Sequence, residues 1–213
     1  MAVHKVFWED PYLTSLSATV TSVEGGTLTL DKTIFYAFSG NQASDRGTIG
    51  GYPVLDARKV GLEIEYLIPE MHTLSIGDTV MIEIDPVHRD ALRRLHFAAE
   101  LVLELVYQNF AHPEKTGAHI TAEKARVDFI WSGNIASTFQ FLTSELNKMI
   151  AADLPINSCF SDPVHERRTW EILGFARVSC GGTHPYSTKE IGEVTLRRVN
   201  LGANKERIEI TLV

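Results

Sequence analysis

The first 86 residues alternate short apolar runs with turn residues, a pattern that predicts a small β-rich domain. Positions 16–23 alternate in part, Glu24-Gly25-Gly26 turns the chain, and positions 27–30 return as the second strand of a hairpin. Further short strands are predicted at 34–36, 52–59, 62–68 and 79–84, around a glycine-rich polar loop over 40–51. Many short strands separated by regular turns are typical of a small barrel.

After Pro86 the apolar positions change to helical spacing. Between positions 90 and 110 they fall at Leu92, Leu95, Ala99, Val102, Leu103 and Val106, close to the period of an α-helix. Asp90 is the predicted N-cap, and Pro113 stops the chain beyond the C-terminus. A second helix is predicted from Asn134 to about position 151. Strands are predicted at 119–121, 125–131, 154–160, 169–178, 193–199 and 207–212.

These patterns predict an α+β fold in two domains. A small N-terminal β-barrel domain over residues 1–86 carries the glycine-rich loop. Residues 87–213 form an α/β domain in which helices pack on a mainly antiparallel sheet.

Composition limits the kind of protein and the cellular compartment that we expect. A net charge of −7 weighs against a protein that coats nucleic acid nonspecifically. The sequence contains no run of about 18 apolar residues, so no membrane span is predicted. The N-terminus lacks the features of a signal peptide. The two cysteines, Cys159 and Cys180, do not indicate a disulfide framework, and Cys159, which follows an apolar run, is expected to be buried. We expect a cytoplasmic protein in a reducing compartment.

The residues 180–184, Cys-Gly-Gly-Thr-His, carry the most informative chemistry. Cys180 and His184 are zinc ligand types, and the intervening glycines permit a tight turn that aims both side chains at one point. His96 and Glu100 lie four residues apart on the predicted helix and therefore share a face. Together these residues predict a four-ligand zinc site, or a three-ligand site with a position for water. The spacing by itself also permits a metal-free turn and a solvated helix pair.

Four segments together resemble the editing domain of alanyl-tRNA synthetase and the freestanding AlaX-type editing proteins. The loop ending in 42–47, Gln-Ala-Ser-Asp-Arg-Gly, resembles the family's Gln-x-x-Asp-x-Gly. His96 and Glu100 stand where the family has a helical His-x3-His. The strand ending in 126–129, Arg-Val-Asp-Phe, matches the family's Arg-x-Asp-Phe, and Cys180 to His184 matches its Cys-x3-His.

The resemblance implies a hydrolase that removes a wrong amino acid, serine or glycine, from tRNA meant for alanine. It assigns His96, Cys180 and His184 as zinc ligands and makes Glu100 a fourth ligand or a general base. Thr183 is then a candidate for bonding a substrate hydroxyl, as are His119 and Thr121. The predicted tRNA-contacting residues are Arg93, Arg94, Lys124 and Arg126, and the predicted substrate-loop residues are Gln42 and Asp45.

Two departures from the family pattern leave alternatives open. Glu100 replaces the second helical His, and Ser39-Gly40-Asn41 replaces a run of glycines. A zinc hydrolase of another small ester or amide, or a non-catalytic module that binds tRNA or a synthetase, is compatible with these changes. So is a decayed site, in which Glu100 is a sign of lost activity. A further alternative is a metal-free reaction with Cys180 as the nucleophile beside His184.

Overall fold

The computed structural model describes residues 2–213. It is a sheet-rich mixed fold with two α-helices among the described residues. The chain divides into two compact units, one ending at Asp90 and the other spanning Ala91–Val213. None of the helices in the described part is long and apolar enough to cross a membrane.

The first unit is built on a curled antiparallel sheet of seven strands. The strands of the whole unit, including two outside this sheet, are β1 (His4–Lys5), β2 (Ser15–Glu24), β3 (Thr27–Leu30), β4 (Lys32–Thr33), β5 (Gly47–Ile49), β6 (Tyr52–Pro53), β7 (Asp56–Val60), β8 (Glu63–Leu67) and β9 (Thr79–Ile84). The order in the sheet is β6-β5-β9-β2-β3-β8-β7, and β1 and β4 form a separate parallel pair. The predicted β2–β3 hairpin is confirmed.

A closed barrel is not confirmed for this unit. Strands β6 and β7 are the two ends of the sheet order. Strand β6 contains only two residues, one of them Pro53, and proline has no N–H to donate to a neighbouring strand. The predicted strand at 34–36 is wrong, because the buried residues there belong to no strand. The predicted strand at 52–59 is two separate strands, β6 and β7.

The second unit contains most of helix α1 (Pro86–Asn109) and all of α2 (Phe139–Ala151). Its strands are β10 (Lys115–Ile120), β11 (Ala125–Ile130), β12 (Asn157–Asp162), β13 (Arg167–Ile172), β14 (Ala176–Ser179), β15 (Val194–Gly202) and β16 (Lys205–Leu212). They form two antiparallel sheets, one in the order β10-β11-β16-β15 and one in the order β12-β13-β14.

Two sequence expectations about element boundaries are wrong in this part of the chain. Helix α1 begins at Pro86 rather than after Asp90, and the Asp85 carboxylate accepts hydrogen bonds from the backbone N–H groups of Val87 and His88. Proline suits the first helical position because its missing N–H would have no helical partner. The single strand expected at 169–178 is the β13–β14 hairpin, which turns at Gly174 with φ of +78°.

Helix α1 is enclosed by protein over its central turns. Leu92, Leu95, Phe97, Leu101 and Val102 are all fully buried. A helix that is apolar around most of its circumference is packed on several sides rather than on one. Polar residues between these positions are therefore carried into the interior of the second unit.

Candidate metal centre

Three predicted ligands meet in the second unit, although two of them are more than eighty residues from the third in sequence. The ligand atoms of His96, Cys180 and His184 all lie within 4.8 Å of one another. The Cys180 Sγ is 3.2 Å from Nε2 of His96 and 3.3 Å from Nε2 of His184. We call these three residues the ligand group.

Helix α1 and the end of β14 bring the ligand group together. His96 lies on a buried stretch of α1, so its imidazole cannot turn towards solvent. Cys180 directly follows β14, and its backbone N–H donates to the carbonyl oxygen of Arg168 in β13 across 2.9 Å. That bond extends the β13–β14 pairing by one residue and fixes where the sulfur points.

Glu100 lies beside the ligand group without being part of it. Its Oε1 is 3.5 Å from Nε2 of His96. Its Oε2 accepts a hydrogen bond of 3.0 Å from the indole Nε1 of Trp170, which is fully buried in β13. His96 thus keeps the first position of the family's helical His-x3-His, and the carboxylate of Glu100, held by Trp170, takes the second.

Ser158 contacts the ring nitrogen of His184 that does not face Cys180. The Oγ of Ser158 in β12 is 3.0 Å from Nδ1 of His184. When Nδ1 carries the proton and donates it to Ser158, Nε2 is left with a lone pair directed towards Cys180. Such partners of the second ring nitrogen set the tautomer and orientation of metal-binding histidines. The ring of Phe97 packs edge-on against both His184 and Trp170.

Burial and neighbouring charged groups together shift the pKa values of three residues in the site. Burial acts to lower the pKa of His96, but the neighbouring Cys180 and Glu100 outweigh it and raise that pKa to about 10. Burial acts to raise the pKa of Glu100, but its contacts with His96 and Trp170 lower that pKa to about 2. Burial, together with the charge of His96, lowers the pKa of His184 well below its usual value. Glu100 is therefore ionised and His184 neutral at pH 7.

The ligand group fits a zinc ion in both chemistry and spacing. Two imidazole nitrogens and one sulfur are the donor types that Zn²⁺ prefers, and tetrahedral coordination would separate nitrogen from sulfur by about 3.5 Å. The observed separations of 3.2 and 3.3 Å are within a few tenths of an ångström of that value. Three protein ligands would leave a fourth position, which is the arrangement of catalytic zinc sites. Binding would displace the proton from His96, because only neutral imidazole is a ligand.

Comparison with known proteins gives the family. No family model matches the chain. The chain is 30% identical over 212 residues to the alanyl-tRNA editing protein AlaX-M of Pyrococcus horikoshii, covering 98% of this chain and 97% of that protein. This chain belongs to the alanyl-tRNA editing proteins. It is also 30% identical over 237 residues to AlaX-M of Saccharolobus solfataricus, covering 98% of each chain. A match to the alanine–tRNA ligase of Acidovorax is 28% identical over 199 residues and covers 23% of that enzyme.

Two of the predicted tRNA-contacting residues of this editing protein lie in α1, three and two positions before His96. Arg93 is buried, and its Nη2 is 3.9 Å from Glu190. The Nε of Arg94 donates to the carbonyl oxygen of Ile191 across 2.9 Å. Both arginines therefore fasten α1 to the segment that follows the Cys180 loop.

The other two predicted tRNA-contacting residues are Lys124, in the turn between β10 and β11, and Arg126, in β11. The Lys124 ammonium is 2.5 Å from Glu209, and Arg126 forms an ion pair with Asp128. Arg207 also binds Asp128, with Nε–Oδ1 and Nη2–Oδ2 distances of 2.6 and 2.9 Å. These cations and anions alternate along neighbouring strands and pair with one another.

The remaining candidate residues fall into different surroundings. Thr183, between two ligands, is buried. The Thr121 hydroxyl closes the β10–β11 turn by contacts with Glu123 and Lys124. His119 lies opposite Arg126 in the β10–β11 ladder. Of the three candidates for bonding a substrate hydroxyl, Thr183 is therefore the one that lies between two members of the ligand group in the sequence.

The two loop residues lie inside the first unit. Gln42 and Asp45 are both buried. Asp45 forms a buried ion pair with Arg89, whose Nε is 2.8 Å from Oδ1, and it also accepts from the backbone N–H of Tyr36. Arg89 in turn donates to the carbonyl oxygens of Pro11 and Ile34. Asp45 therefore ties three chain segments of this unit together.

Sequence reasoning did not find two residues that contact the site. Ser158 lies 26 positions before His184, and Trp170 lies 70 positions after Glu100. Neither distance matches a local motif, so nothing in the sequence pattern points to them. The expectation that Cys159 is buried is wrong, since the residue is exposed. Cys159 pairs with Thr169 and so faces away from Ser158 and Trp170, which pair with each other.

Proposed function

We propose that this protein is a trans-editing hydrolase that deacylates mischarged tRNA(Ala) in the cytoplasm. Seryl-tRNA(Ala) is the proposed main substrate and glycyl-tRNA(Ala) a second one. The observation that carries the proposal is the ligand group of His96, Cys180 and His184 with the ionised Glu100 beside it. The nearly full-length likeness to proteins named for alanyl-tRNA editing supports the substrate class.

The ligand group is proposed to hold a zinc ion through His96, Cys180 and His184. Zinc in such a site supplies Lewis-acid polarisation of a carbonyl and brings the pKa of water towards about 7. The neutral His184 is ready to bind, with Ser158 holding its other ring nitrogen. Cys180 contributes as the thiolate, the form of cysteine that binds metals.

Glu100 is proposed to orient the attacking water and accept its proton. Trp170 occupies one carboxylate oxygen, and the other faces His96. In the reaction the water oxygen bonds to the ester carbonyl carbon, and the bond from that carbon to the ribose oxygen breaks. The amino acid leaves as a carboxylate, the tRNA regains its terminal hydroxyl, and one proton is released.

Thr183 is proposed to recognise the serine side chain. It is buried, and it stands in the chain between two of the proposed ligands, Cys180 and His184. A buried group that bonds a substrate hydroxyl discriminates strongly against a substrate that lacks it, because the partner is then left without a bond. Seryl-tRNA is thereby separated from correctly charged alanyl-tRNA.

Arg93, Arg94, Lys124 and Arg126 are proposed to contact the acceptor end of the tRNA. Each has a partner within the protein, but a guanidinium has five N–H donors and an ammonium has three. Asp45 and Gln42 are proposed to brace the loop of the first unit rather than to touch the substrate. With a net charge of −7, tRNA affinity is expected to be modest and to fall with salt.

The test is release of labelled serine from seryl-tRNA(Ala), with alanyl-tRNA(Ala) as the control substrate. We expect release that a chelator abolishes, that added zinc restores, and that leaves alanyl-tRNA(Ala) intact. Cleavage of small serine esters without cleavage of tRNA would instead identify another hydrolase. Binding of tRNA without cleavage by zinc-loaded protein would identify a binding module.

A further inference from the structure

One face of the β12–β13–β14 sheet looks onto the ligand group. Residues directly opposite each other in antiparallel strands project to the same face. Ser158 pairs with Trp170, and the two contact His184 and Glu100 respectively. Cys180 continues the same face beyond β14. Side chains on this face of the sheet therefore surround the site.

Phe160 is the exposed aromatic residue of that face. It lies two positions after Ser158 in β12, so it projects to the same side, about 7 Å further along the strand. It pairs with Arg168, and 42% of the residue's surface is exposed. The register shifts immediately after it, between Phe160 and Asp162, and such bulges re-aim side chains at the ends of pairing.

Arg168 holds the ring of Phe160 from within the sheet. The guanidinium carbon lies over the ring, 5.4 Å from its centroid. Arg168 is only 7% exposed, so the cation is a fixed support and not a mobile surface group. Attraction between a cation and the face of an aromatic ring stabilises this arrangement. The exposed ring is thus held in place although packing does not bury it.

Strand pairing places Phe160 two strands away from Cys180 of the ligand group. Arg168 lies between Phe160 and Cys180, because it pairs with the first and accepts a backbone hydrogen bond from the second. Two strand spacings correspond to about 10 Å between the backbones of Phe160 and Cys180. In an aminoacyl-tRNA the ribose that carries the ester also carries the terminal adenine. An ester at the ligand group therefore brings that base to the neighbourhood of Phe160.

We propose that Phe160, supported by Arg168, is the stacking platform for the 3′-terminal adenosine of the tRNA substrate. This inference rests on the proposed editing function and specifies how the acceptor end is held. Aromatic side chains bind single-stranded bases through their π-faces. A platform of this kind recognises the CCA end that all tRNAs share and leaves discrimination of the amino acid to the ligand group and Thr183.

The test compares binding of two uncharged acceptor-stem minihelices, one ending in CCA and one lacking the terminal adenosine, at a fixed salt concentration. We expect wild-type protein to bind the CCA minihelix about tenfold to a hundredfold more tightly, which is the range that alanine substitution gives for one stack of a base on an aromatic ring. Phe160→Ala should abolish the difference by weakening only the CCA complex. Phe160→Trp should retain it.

Phe141→Ala is the matched control, because Phe141 in α2 is 38% exposed and lies on a different element. It should leave the preference for CCA unchanged. Equal affinity of wild-type protein for the two minihelices, or equal weakening of both by Phe160→Ala, would overturn the platform. A preference for CCA that depends on Phe160, in a protein that releases no serine, would support the platform and refute the editing reaction.

Discussion

The indole Nε1 of Trp170 donates a hydrogen bond of 3.0 Å to Oε2 of Glu100. Trp170 is fully buried, and the carboxylate it holds lies next to His96. This bond leaves the second oxygen of Glu100 directed at the ligand group. The family's helical histidine has thus been replaced by a residue whose orientation a neighbouring strand controls.

Replacement of Trp170 by Phe should lower kcat for serine release by about tenfold to a hundredfold, the usual effect of losing a partner of this kind. The ring remains to fill the core, but Glu100 loses the donor that orients it. The measurement is kcat together with bound zinc, which should stay at the wild-type level. Trp131→Phe, which alters a tryptophan packed on Phe110, should leave both values unchanged. Wild-type kcat in Trp170→Phe would contradict the positioning role.

Replacement of Glu100 by Gln should lower kcat by about a hundredfold to ten thousandfold, the range for loss of an acid–base group. Glutamine can still accept from Trp170 but cannot take a proton from water. Zinc content, measured by elemental analysis of the purified variant, should be unchanged. If the variant instead loses its zinc, Glu100 is a fourth ligand and not the base.

Replacement of Ser158 by Ala should weaken zinc binding by about tenfold to a hundredfold. The Nδ1 of His184 loses its partner, so the tautomer with a lone pair on Nε2 is no longer fixed. Competition with a chromophoric zinc chelator measures the affinity. Ser179→Ala is a suitable control, because Ser179 pairs with Thr169 and faces the other side of the same sheet. A similar loss of affinity in both variants would indicate a general effect on the sheet.

Replacement of Asp45 by Ala should destabilise the protein by about 3–5 kcal/mol, since it leaves the buried Arg89 charge without its carboxylate. The free energy of unfolding, measured with urea, reports this change. We expect zinc affinity to be retained under conditions where the variant is folded. A stable variant with strongly reduced tRNA binding would show that Asp45 contacts the substrate instead.

Asp128 should make stability depend on pH in the acid range. Burial acts to raise its pKa, but the bonds from Arg207 and Arg126 outweigh it and hold the pKa below the ordinary value of 3.8. A carboxyl with a lowered pKa in the folded state stabilises the protein above its unfolded pKa and loses that effect as the pH falls. The stability difference between wild type and Asp128→Asn should therefore shrink below about pH 3.8. A constant difference down to pH 2 would exclude this linkage.

Helical spacing and turn residues were sufficient to predict much of the local structure. The period after Pro86 predicted α1, and the Gly25-Gly26 turn predicted the β2–β3 hairpin. The errors occurred where a boundary depended on a competing local group. Asp85 caps the helix that was expected to begin at Asp90, and Gly174 divides the strand expected at 169–178. Asp85 and Asp90 are both suitable helix caps, and the spacing of apolar residues does not determine which of them is used. That spacing also does not show that the chain turns at Gly174.

The sequence by itself determined which residues are candidate ligands, because Cys180 and His184 are zinc ligand types in recognisable local spacing and His96 is another ligand type on a predicted helix. Only the tertiary structure decided that these three meet within 4.8 Å while Glu100 stands beside them. It also supplied Ser158 and Trp170, which reach His184 and Glu100 through the register of two antiparallel strands, β12 and β13. Strand pairing joins residues that are far apart in the chain, and no periodicity in the sequence encodes which residue will lie opposite which.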